Sequence, residues 1–568
     1  MKILTLHCDY IKFKPLKKAL KNPEAIKNDD EKTVQECLVV LTAIEHGDDQ
    51  KVFDDLIASV KKTATEVKSK NIVLYPYAHL SSKLSAPDVA LKTLEEAEKI
   101  LAQDFKVTRA PFGYYKTFEL KCKGHPLSEL SKEFHPEGFE EIRVKPKEEI
   151  YNPERLLREI SRSKLDTSKL KENDHRILGQ KLDLFSFNEV APGMVFWHNN
   201  GLIIYNELVK FWREEHEKAG YQEISTPQIL DKRLWQISGH WDKYRDNIFI
   251  SKYEDRDFAV KPMNCPGGIL VYKSQTRSYK DLPMRMGELG IVHRQELSGV
   301  LAGLFRVIKF TQDDAHVYCT EEQLEDELMA VMALADRFYK KFNLPYRVEL
   351  STRPEKRIGS DEIWDKAEKA LEQVLKKKKT KYKLNKGDGA FYGPKIDFHI
   401  KDSLNREWQC ATLQLDFAMP ERFQLEYTDK NNERKRPVML HRTILGSLER
   451  FIGILLEHLN GNLPVWLSPT QVCVINFTDR NTKAAEKVLH DLKKQIPELR
   501  IDSDFENTTV SDKVRKAEMQ HIPYVIVIGD KEEKAKTLAV RARGEKPKFG
   551  VKTESFIKEL QKKLQNRD

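Results

Sequence analysis

Three rows of side chains in the sequence could do chemistry. In Thr311-Gln312-Asp313-Asp314-Ala315-His316, a strand would turn Gln312, Asp314 and His316 to one face. That row of amide, carboxylate and imidazole is costly to bury without partners. It suits the floor of a polar pocket, and equally an exposed sheet face. Lys395, Asp397 and His399 share a second face after Tyr392-Gly393-Pro394, and Gln414 and Asp416 share a third. In Met284–Glu296, Arg294 and Glu296 have the same parity, and Arg306 opens a returning strand after the loop 297–305. An arginine offers a fixed donor fork for phosphate. A carboxylate offers acceptors for an exocyclic amine, so the pair suits a nucleotide; a surface cross-strand ion pair would have the same spacing. Gly446 and Arg450 lie four apart on one side of a late helix that His441 and Arg450 bracket. Cys265, His316 and His441 match no short zinc spacing, so spacing alone defines no metal site.

Near the N-terminus, Lys116 shares a strand face with Phe118, Leu120 and Cys122. Lysines are rarely buried without a role, although a lysine at a strand edge can also snorkel to water. His79, after Tyr75-Pro76-Tyr77-Ala78, is a second candidate and equally a structural loop histidine.

The elements that must position these groups divide the chain into four parts: 1–138, 139–183, 184–466 and 467–568. The first reads as an α/β unit, with strands at Lys2–His7 and Ile72–Tyr75 and a helix over Pro87–Lys106. A strand pair, Lys106–Ala110 and Tyr114–Lys121, is joined through Pro111-Phe112-Gly113. The second is a charged linker, helical around Pro153–Ile160, with the polar run Ser161-Arg162-Ser163-Lys164. The third mixes helices (Leu202–Ala219, Glu321–Phe342, Thr443–Leu459) with strands (Met284–Glu296, Arg306–Tyr318, Phe391–Ile400, Trp408–Phe417). Without regular βαβ alternation, this predicts an α+β domain on an antiparallel sheet. The fourth reads as a small α/β domain with a mixed sheet. Its strands are Gln471–Phe477, Arg500–Asp504, Tyr524–Ile528 and Thr537–Arg543, and its helices Thr482–Gln495, Val510–Met519 and Thr553–Leu564. The basic run Lys376–Lys383 predicts an exposed turn.

Composition sets outer bounds. The 568 residues carry 97 Lys+Arg and 88 Asp+Glu, a net +9, with 40% hydrophobic residues. That length suggests several domains, and the apolar share excludes a wholly disordered chain. The longest apolar runs, Cys37–Ile44 and Tyr524–Ile528, fall far short of a membrane helix. The N-terminus reaches Asp9 too soon for a secretory signal. Seven cysteines with no close CxxC pair argue against a disulfide scaffold and predict a reducing, cytoplasmic setting. The mild charge permits a polyanionic partner without requiring one.

A resemblance then absorbs most of these features. The segments Lys261-Pro262-Met263-Asn264-Cys265-Pro266-Gly267, His293-Arg294-Gln295-Glu296, Thr311–His316, Phe391-Tyr392-Gly393-Pro394-Lys395 and His441–Arg450 closely resemble the threonyl-tRNA synthetase family, in its order. Gly220–Leu230, with Pro227, looks like class II motif 1, the dimer-interface element; Met284–Phe310 and Leu440–Phe451 look like motifs 2 and 3. The last part is similar to the family's anticodon-binding domain. The first is similar to the archaeal editing domain, itself related to D-aminoacyl-tRNA deacylases. The resemblance implies ligation of L-threonine to tRNA(Thr) through a threonyl-adenylate, editing of seryl-tRNA(Thr), and a cytoplasmic homodimer of archaeal type.

It also implies one zinc per subunit on Cys265, His316 and His441, and Mg²⁺ with ATP. Arg294 would bind the α-phosphate, Glu296 the adenine amine and Arg450 the γ-phosphate, with Arg306 and Gln409 at ATP and Lys395 assisting the phosphates. Gln312, Asp314, Tyr392 and Gln414 would surround threonine. His240 would assist transfer to tRNA. His79, Tyr115, Lys116 and Glu129 would serve editing, and Glu532 and Arg541 would read anticodon bases. Gln409 and Gln414 have opposite strand parity, so both can face one site only across a bulge or bend. Lys531–Asp568 carries twelve basic and six acidic residues, an excess that suits phosphate contacts. The chain departs from the family in two ways. The bacterial N-terminal arrangement is absent, and Gly268 stands where many relatives have histidine. A non-catalytic RNA-binding paralogue and a class II ligase for serine or proline are the competing readings.

Overall fold

The computed structural model describes residues 1–20, 23–26, 30–81, 83–136, 152–160 and 170–568. The chain divides into two compact units, Met1–Tyr151 and Asn152–Asp568. All seven cysteines are unpaired. No helix among the described residues is long and apolar enough to cross a membrane.

The first unit is a six-stranded sheet with two α-helices. Its strands are β1 (Lys2–Lys18), β2 (Lys32–Ala43), β3 (Asn71–Pro76), β4 (Lys106–Arg109), β5 (Tyr114–Cys122) and β6 (Glu129–Glu133). They lie in the order β4-β3-β2-β1-β5, with β6 also pairing β1. The helix α1 (Gln50–Glu66) starts where the Asp49 carboxylate accepts the Val52 amide. It buries Val52, Phe53, Leu56, Ile57, Val60 and Ala64 at helical spacing. The helix α2 (Pro87–Leu101) opens on a proline, whose fixed φ and missing amide suit the first turn. It ends earlier than its apolar spacing predicts.

The predicted strand pair is corrected. Both strands form, but β4 pairs in parallel with β3, and β5 pairs antiparallel with β1. The link between them is tied elsewhere. The Glu24 carboxylate accepts the Phe112 amide at 2.9 Å and two guanidinium N–H groups of Arg109 at 2.7 and 2.6 Å. A turn signal reports that the chain turns, not which strand it then meets.

In the second unit, α3 (Pro153–Ile160) and α4 (His175–Lys181) precede α5 (Asn199–Lys218). The rest of the expected linker, 139–151 and 161–169 with its Ser161–Lys164 run, lies outside the described residues. The eight strands of the main sheet are β7 (Gln222–Glu223), β8 (Met284–His293), β9 (Lys309–Cys319), β10 (Tyr346–Ser351), β11 (Tyr382–Asn385), β12 (Lys395–Lys401), β13 (Glu407–Asp416) and β14 (Val438–Thr443). Their order is β11-β10-β12-β13-β14-β9-β8-β7, antiparallel except at the β7–β8 and β10–β11 pairs. The helices α6 (Cys265–Lys273), α7 (Leu324–Lys341), α8 (Asp361–Lys377) and α9 (Leu448–His458) belong to the same unit. One large core joins α5, α7, α8 and α9 to the sheet, through Trp212, Phe338, Leu371, Phe398 and Phe451 among others.

Two of the boundaries that differ from the sequence reading have clear physical reasons. The hairpin ladder ends at His293 and resumes at Lys309, so Arg294, Glu296 and Arg306 lie on the connecting loop, not on strand faces. The late helix begins at Leu448, not Thr443, which stays in β14. Between them the buried Asp313 carboxylate accepts the amides of Ile444, Leu445 and Gly446. Those amides are held in a turn, Gly446 sits at φ +80°, and the Ser447 hydroxyl caps the helix on Arg450. Gly446 and Arg450 therefore do not share a helix face.

The C-terminal part of this unit has strands β15 (Val472–Asn476), β16 (Ile501–Asp504), β17 (Tyr524–Ile528), β18 (Thr537–Ala542) and β19 (Lys548–Lys552), in the order β16-β15-β17-β18-β19. Four helices accompany the sheet: α10 (Thr482–Gln495), α11 (Val510–Met519), α12 (Asp530–Ala535) and α13 (Thr553–Asn566). The sheet is mixed: β15 pairs in parallel with both β16 and β17, and the remaining pairs are antiparallel.

Candidate functional site

The middle of the main sheet aligns four predicted site residues in one cross-strand row. Lys395 on β12 opposes Gln414 on β13, Gln414 opposes His441 on β14, and His441 opposes His316 on β9. Directly opposed residues point to the same face, so register alone gathers these groups. Asp314 and Gln312 continue along that face of β9. Cys265, the first residue of α6, completes a buried group. Its sulfur and one nitrogen from each of His316 and His441 lie within 4.8 Å of one another.

The surroundings of these three residues fit a metal. The His316 Nε2 is buried without a hydrogen-bond partner. The His441 Nε2 lies 2.7 Å from the Asp416 carboxylate, which also accepts the amides of Ala418 and Met419. A carboxylate behind one imidazole nitrogen fixes the ring and leaves the other nitrogen for a cation, as in many zinc sites. Thiolate plus two imidazoles is a donor set that zinc favours, and three protein ligands leave a coordination position open. Burial by the chain's own atoms pushes the Cys265 thiol up and the His316 imidazole down. Gly268 borders this group. A Cβ there would lie 3.5 Å from the His316 Nδ1, an ordinary contact.

A pocket of about 200 Å³ opens over this face, lined by Cys265, Arg294, Gln312, Asp314, Tyr392, Thr412, Gln414 and His441. Burial pushes the Asp314 carboxyl up to about 6, opposed by His441 and by the Asn264 amide, which donates to it at 3.3 Å. The Gln414 amide donates to the Gly393 carbonyl at 3.0 Å. The Tyr392 ring lies 5.4 Å from that of His441. His240, in the short helix His240–Lys243, is buried, with Nδ1 at 2.8 Å from the Ser238 hydroxyl and Nε2 unpartnered. Burial lowers its imidazole to about 4.

Of the predicted cationic site residues, Arg294 lines this pocket. The Arg294 Nε donates to the Pro262 carbonyl at 3.1 Å, and its guanidinium lies 5.1 Å from the Phe310 ring centre. Glu296 and Arg306 form an ion pair at 2.8 Å on the loop. The Arg450 Nε donates to the Phe305 carbonyl at 2.9 Å. Lys395 pairs with the buried Asp397, which also accepts from Gln409 at 2.6 Å and Thr412 at 2.8 Å. The parity conflict between Gln409 and Gln414 is resolved by a bulge. Phe398 opposes Ala411 while His399 opposes Gln409, so Cys410 is the extra residue and Gln409 joins the face of Thr412 and Gln414. Thr412, Phe310 and Asn264 escaped the sequence reading as site residues. Shared parity with Gln414 was the available signal for Thr412.

In the first unit, the Lys116 ammonium donates to the carbonyls of Pro111 and Tyr114 at 2.8 and 3.2 Å and lies 5.1 Å from the Tyr75 ring centre. Burial lowers it to about 8, opposed by Glu24. A cavity of about 240 Å³ includes Lys116, Tyr77, Tyr114 and Thr42 in its wall. His79 is exposed beside Tyr77, at 5.4 Å between rings. Tyr115 is exposed on the other face of β5. Glu129 opposes Leu6 on β1, whereas Lys116 opposes Pro15, nine residues and up to about 30 Å of strand away. The chain thus sets Lys116 into the cavity wall and keeps Tyr115 and Glu129 apart from it.

In the second unit, Glu532 and Arg541 both line a groove of about 1040 Å³, with Phe477, Arg480, Arg515, Lys531 and Phe549. Arg541 pairs with Glu518 at 2.7 Å, and Glu532 accepts the Gly529 amide at 3.1 Å. Phe477 and Phe549 are 56% and 74% exposed, which offers flat faces to stacking bases.

Three family models match the chain. Residues 1–134 match the archaea-specific editing domain of threonyl-tRNA synthetase. Residues 249–459 match the class II tRNA synthetase core domain of the Gly, His, Pro, Ser and Thr enzymes, and 471–563 an anticodon binding domain. Among curated relatives, the threonine–tRNA ligase of Desulforamulus reducens is 53% identical over 397 residues, 70% of this chain and 62% of that protein. The threonine–tRNA ligase of Clostridium tetani is 52% identical with the same coverage. The chain thus spans about 62% of the length of these relatives. The RNA binding domain of threonyl-tRNA synthetase from Cryptosporidium parvum is similar at 38% identity and a TM-score of 0.66, over 68% of this chain and 98% of that one. A threonyl-tRNA synthetase structure from Aeropyrum pernix is similar at 29% identity and a TM-score of 0.62, over 69% and 96%.

Proposed function

The chain belongs to the threonyl-tRNA synthetase family, and from that premise we propose that it ligates L-threonine to tRNA(Thr) through a threonyl-adenylate and hydrolyses seryl-tRNA(Thr) in its N-terminal unit. The observation that carries this reading is the buried Cys265, His316 and His441 group opening onto the pocket of Asp314, Tyr392 and Gln414. These three residues would hold zinc. When bound, the ion supplies Lewis-acid coordination for a substrate that offers both an amine and a hydroxyl.

The chain's own residues do the rest. Asp314 accepts an N–H of the substrate amino group, while Gln312, Tyr392 and Gln414 fix the orientation of threonine. ATP, bound with Mg²⁺, takes over the loop ion pair, with Glu296 turning to the adenine amine and Arg306 to the phosphates. Arg294 holds the α-phosphate and Arg450 the γ-phosphate, with Lys395 assisting and Gln409 lying near the nucleotide. The threonine carboxylate then attacks the α-phosphorus and pyrophosphate leaves, with the developing charge stabilised by arginines already in position. His240, buried and neutral, assists the later transfer to tRNA.

Selectivity follows from the same site. A hydrophobic pocket separates near-isosteres such as valine and threonine by only about 100-fold, whereas a site that requires the hydroxyl rejects valine far better. Serine keeps the hydroxyl and lacks one methyl, worth about 1–3 kcal/mol, so serine is activated and must be cleared afterwards. The N-terminal unit is proposed to do so with His79, Tyr115, Lys116 and Glu129. Glu532 and Arg541 are proposed to read the anticodon. The reading includes the division 1–138, 139–183, 184–466 and 467–568, an archaeal type, a homodimer and a cytoplasmic location.

An exchange assay tests it. Purified chain should incorporate pyrophosphate into ATP in the presence of threonine, more weakly with serine and scarcely with valine or proline. Chelation, or Cys265→Ser, should lower bound zinc by metal analysis and erase the preference over valine. No threonine-dependent exchange with zinc supplied would sink the reading.

A further inference from the structure

His175 lies outside all three segments that match family models, yet it is buried at 1% exposure. Its backbone amide and its Nδ1 both meet the Glu457 carboxylate on α9, at 3.0 and 2.6 Å. Its Nε2 meets the Leu304 backbone amide at 2.9 Å. An amide can only donate, so Nε2 is the acceptor and the proton sits on Nδ1, facing Glu457. The ring is therefore neutral, and both nitrogens are used. Asp174, His175 and Glu457 also offer ligand atoms within 4.8 Å of one another, but a ring with both nitrogens committed is not a cation ligand.

The contacts around it meet at one loop. Gly303 sits at φ +54°, and a Cβ there would fall 2.2 Å from the His175 Nε2, so the backbone passes the ring at the closest approach a glycine allows. The Phe305 ring lies 4.2 Å from His175 and 4.4 Å from Trp408. The Phe305 carbonyl accepts from Arg450, which stands on α9 seven residues before Glu457, two helical turns along one side. Arg406 pairs with Glu457 at 2.6 Å and covers Phe305. The loop residues 303–305 are thus clasped between α4 and α9, directly before Arg306.

We propose that His175 is a positioning residue of the nucleotide site, a neutral imidazole latch that holds the loop carrying Glu296 and Arg306 against the helix carrying Arg450. The inference rests on the proposed function for the identity of the nucleotide as ATP. It adds that a residue of the connecting segment sets the geometry of the triphosphate contacts.

Two conservative variants divide the ring's functions. An asparagine amide reaches the place of Nδ1 and keeps the bond to Glu457, but it leaves the Leu304 amide unpaired. A glutamine carbonyl reaches the place of Nε2 and keeps the Leu304 bond, while the backbone amide of residue 175 still donates to Glu457 and keeps the tie to the helix. In threonine-dependent exchange by the full chain, His175→Asn should raise the KM for ATP about three- to tenfold, the range one lost hydrogen bond spans. His175→Gln should stay within about twofold, and the KM for threonine should hold in both. Hydrogen exchange at residues 297–308 should quicken in His175→Asn and not in His175→Gln. Gly303→Ala, which strikes the latch from the loop side, should match His175→Asn and decides the matter if that variant does not fold. An unchanged KM for ATP with unchanged loop exchange, or equal shifts in both His175 variants, overturns the latch. Absent exchange by the parent chain overturns the proposed function instead, and the loop's hydrogen exchange then still judges the latch.

Discussion

At the scale of single residues, burial gives Lys116 two opposite responses to pH. Its ammonium is held by two carbonyls and the Tyr75 ring, but burial lowers it from the usual 10.5 to about 8. Between about pH 8 and 10.5 the unfolded chain binds a proton here that the folded chain does not, so this residue's contribution to stability rises with pH in that window. Over the same window the folded chain loses the positive charge of a residue proposed to serve editing. We therefore expect clearance of seryl-tRNA, corrected for spontaneous hydrolysis, to fall as pH rises through 8 while the first unit becomes no less stable. Lys116→Met should remove both trends and let seryl-tRNA accumulate at pH 7. A clearance rate flat from pH 7 to 9, or unchanged in the variant, would count against Lys116 as an editing residue.

At the scale of elements, Asp313 shows how one buried carboxylate can end a strand pairing and start a helix. It is fully buried and accepts three consecutive amides, those of Ile444, Leu445 and Gly446; burial, opposed by Arg442 and by those amides, pushes its carboxyl up to about 7. Asp313→Ala would strand those amides at about 1–3 kcal/mol each. We expect a loss of at least about 3 kcal/mol in urea unfolding, with threonine-dependent exchange falling because Arg450 starts from the helix that this turn delivers. A loss under about 1 kcal/mol, less than one stranded amide costs, would show that the turn holds without it. The same element shows what sequence could and could not convey. The alternation that put Gln312, Asp314 and His316 on one face was legible, because side-chain direction in a strand depends only on parity. The need for a bulge between Gln409 and Gln414 was legible for the same reason. The point where β14 yields to α9 was not, because its apolar residues suit either state and the deciding carboxylate lies 131 residues away. Nor was the separation of β4 from β5, which depends on Glu24 reaching across the fold to Phe112 and Arg109. His175 carried no local signal at all, since its partners Leu304 and Glu457 are distant in sequence.

At the scale of the whole molecule, each compact unit has cores of its own. The first is packed around Leu38, Val40, Phe53 and Leu74, with a second cluster around Phe13, Val39 and Tyr75. The second is packed around Trp212, Phe338 and Phe451, with a separate cluster under the C-terminal sheet. No core cluster among the described residues draws members from both units. A unit that buries its own apolar surface can fold without its neighbour. Residues 152–568 expressed alone should therefore unfold cooperatively and keep threonine-dependent exchange within a fewfold of the full chain, because every residue proposed for activation lies in that span. The net excess of six positive charges in Lys531–Asp568 stays with this piece, so its binding to tRNA should remain strongly salt-dependent. What it should lose is discrimination at the level of product: seryl-tRNA should persist where the full chain clears it, and adding residues 1–136 in trans should restore clearance at best partially. Two results would break this division of labour. One is a truncated chain that cannot activate threonine although it is folded; the other is one that still clears seryl-tRNA at the full-length rate.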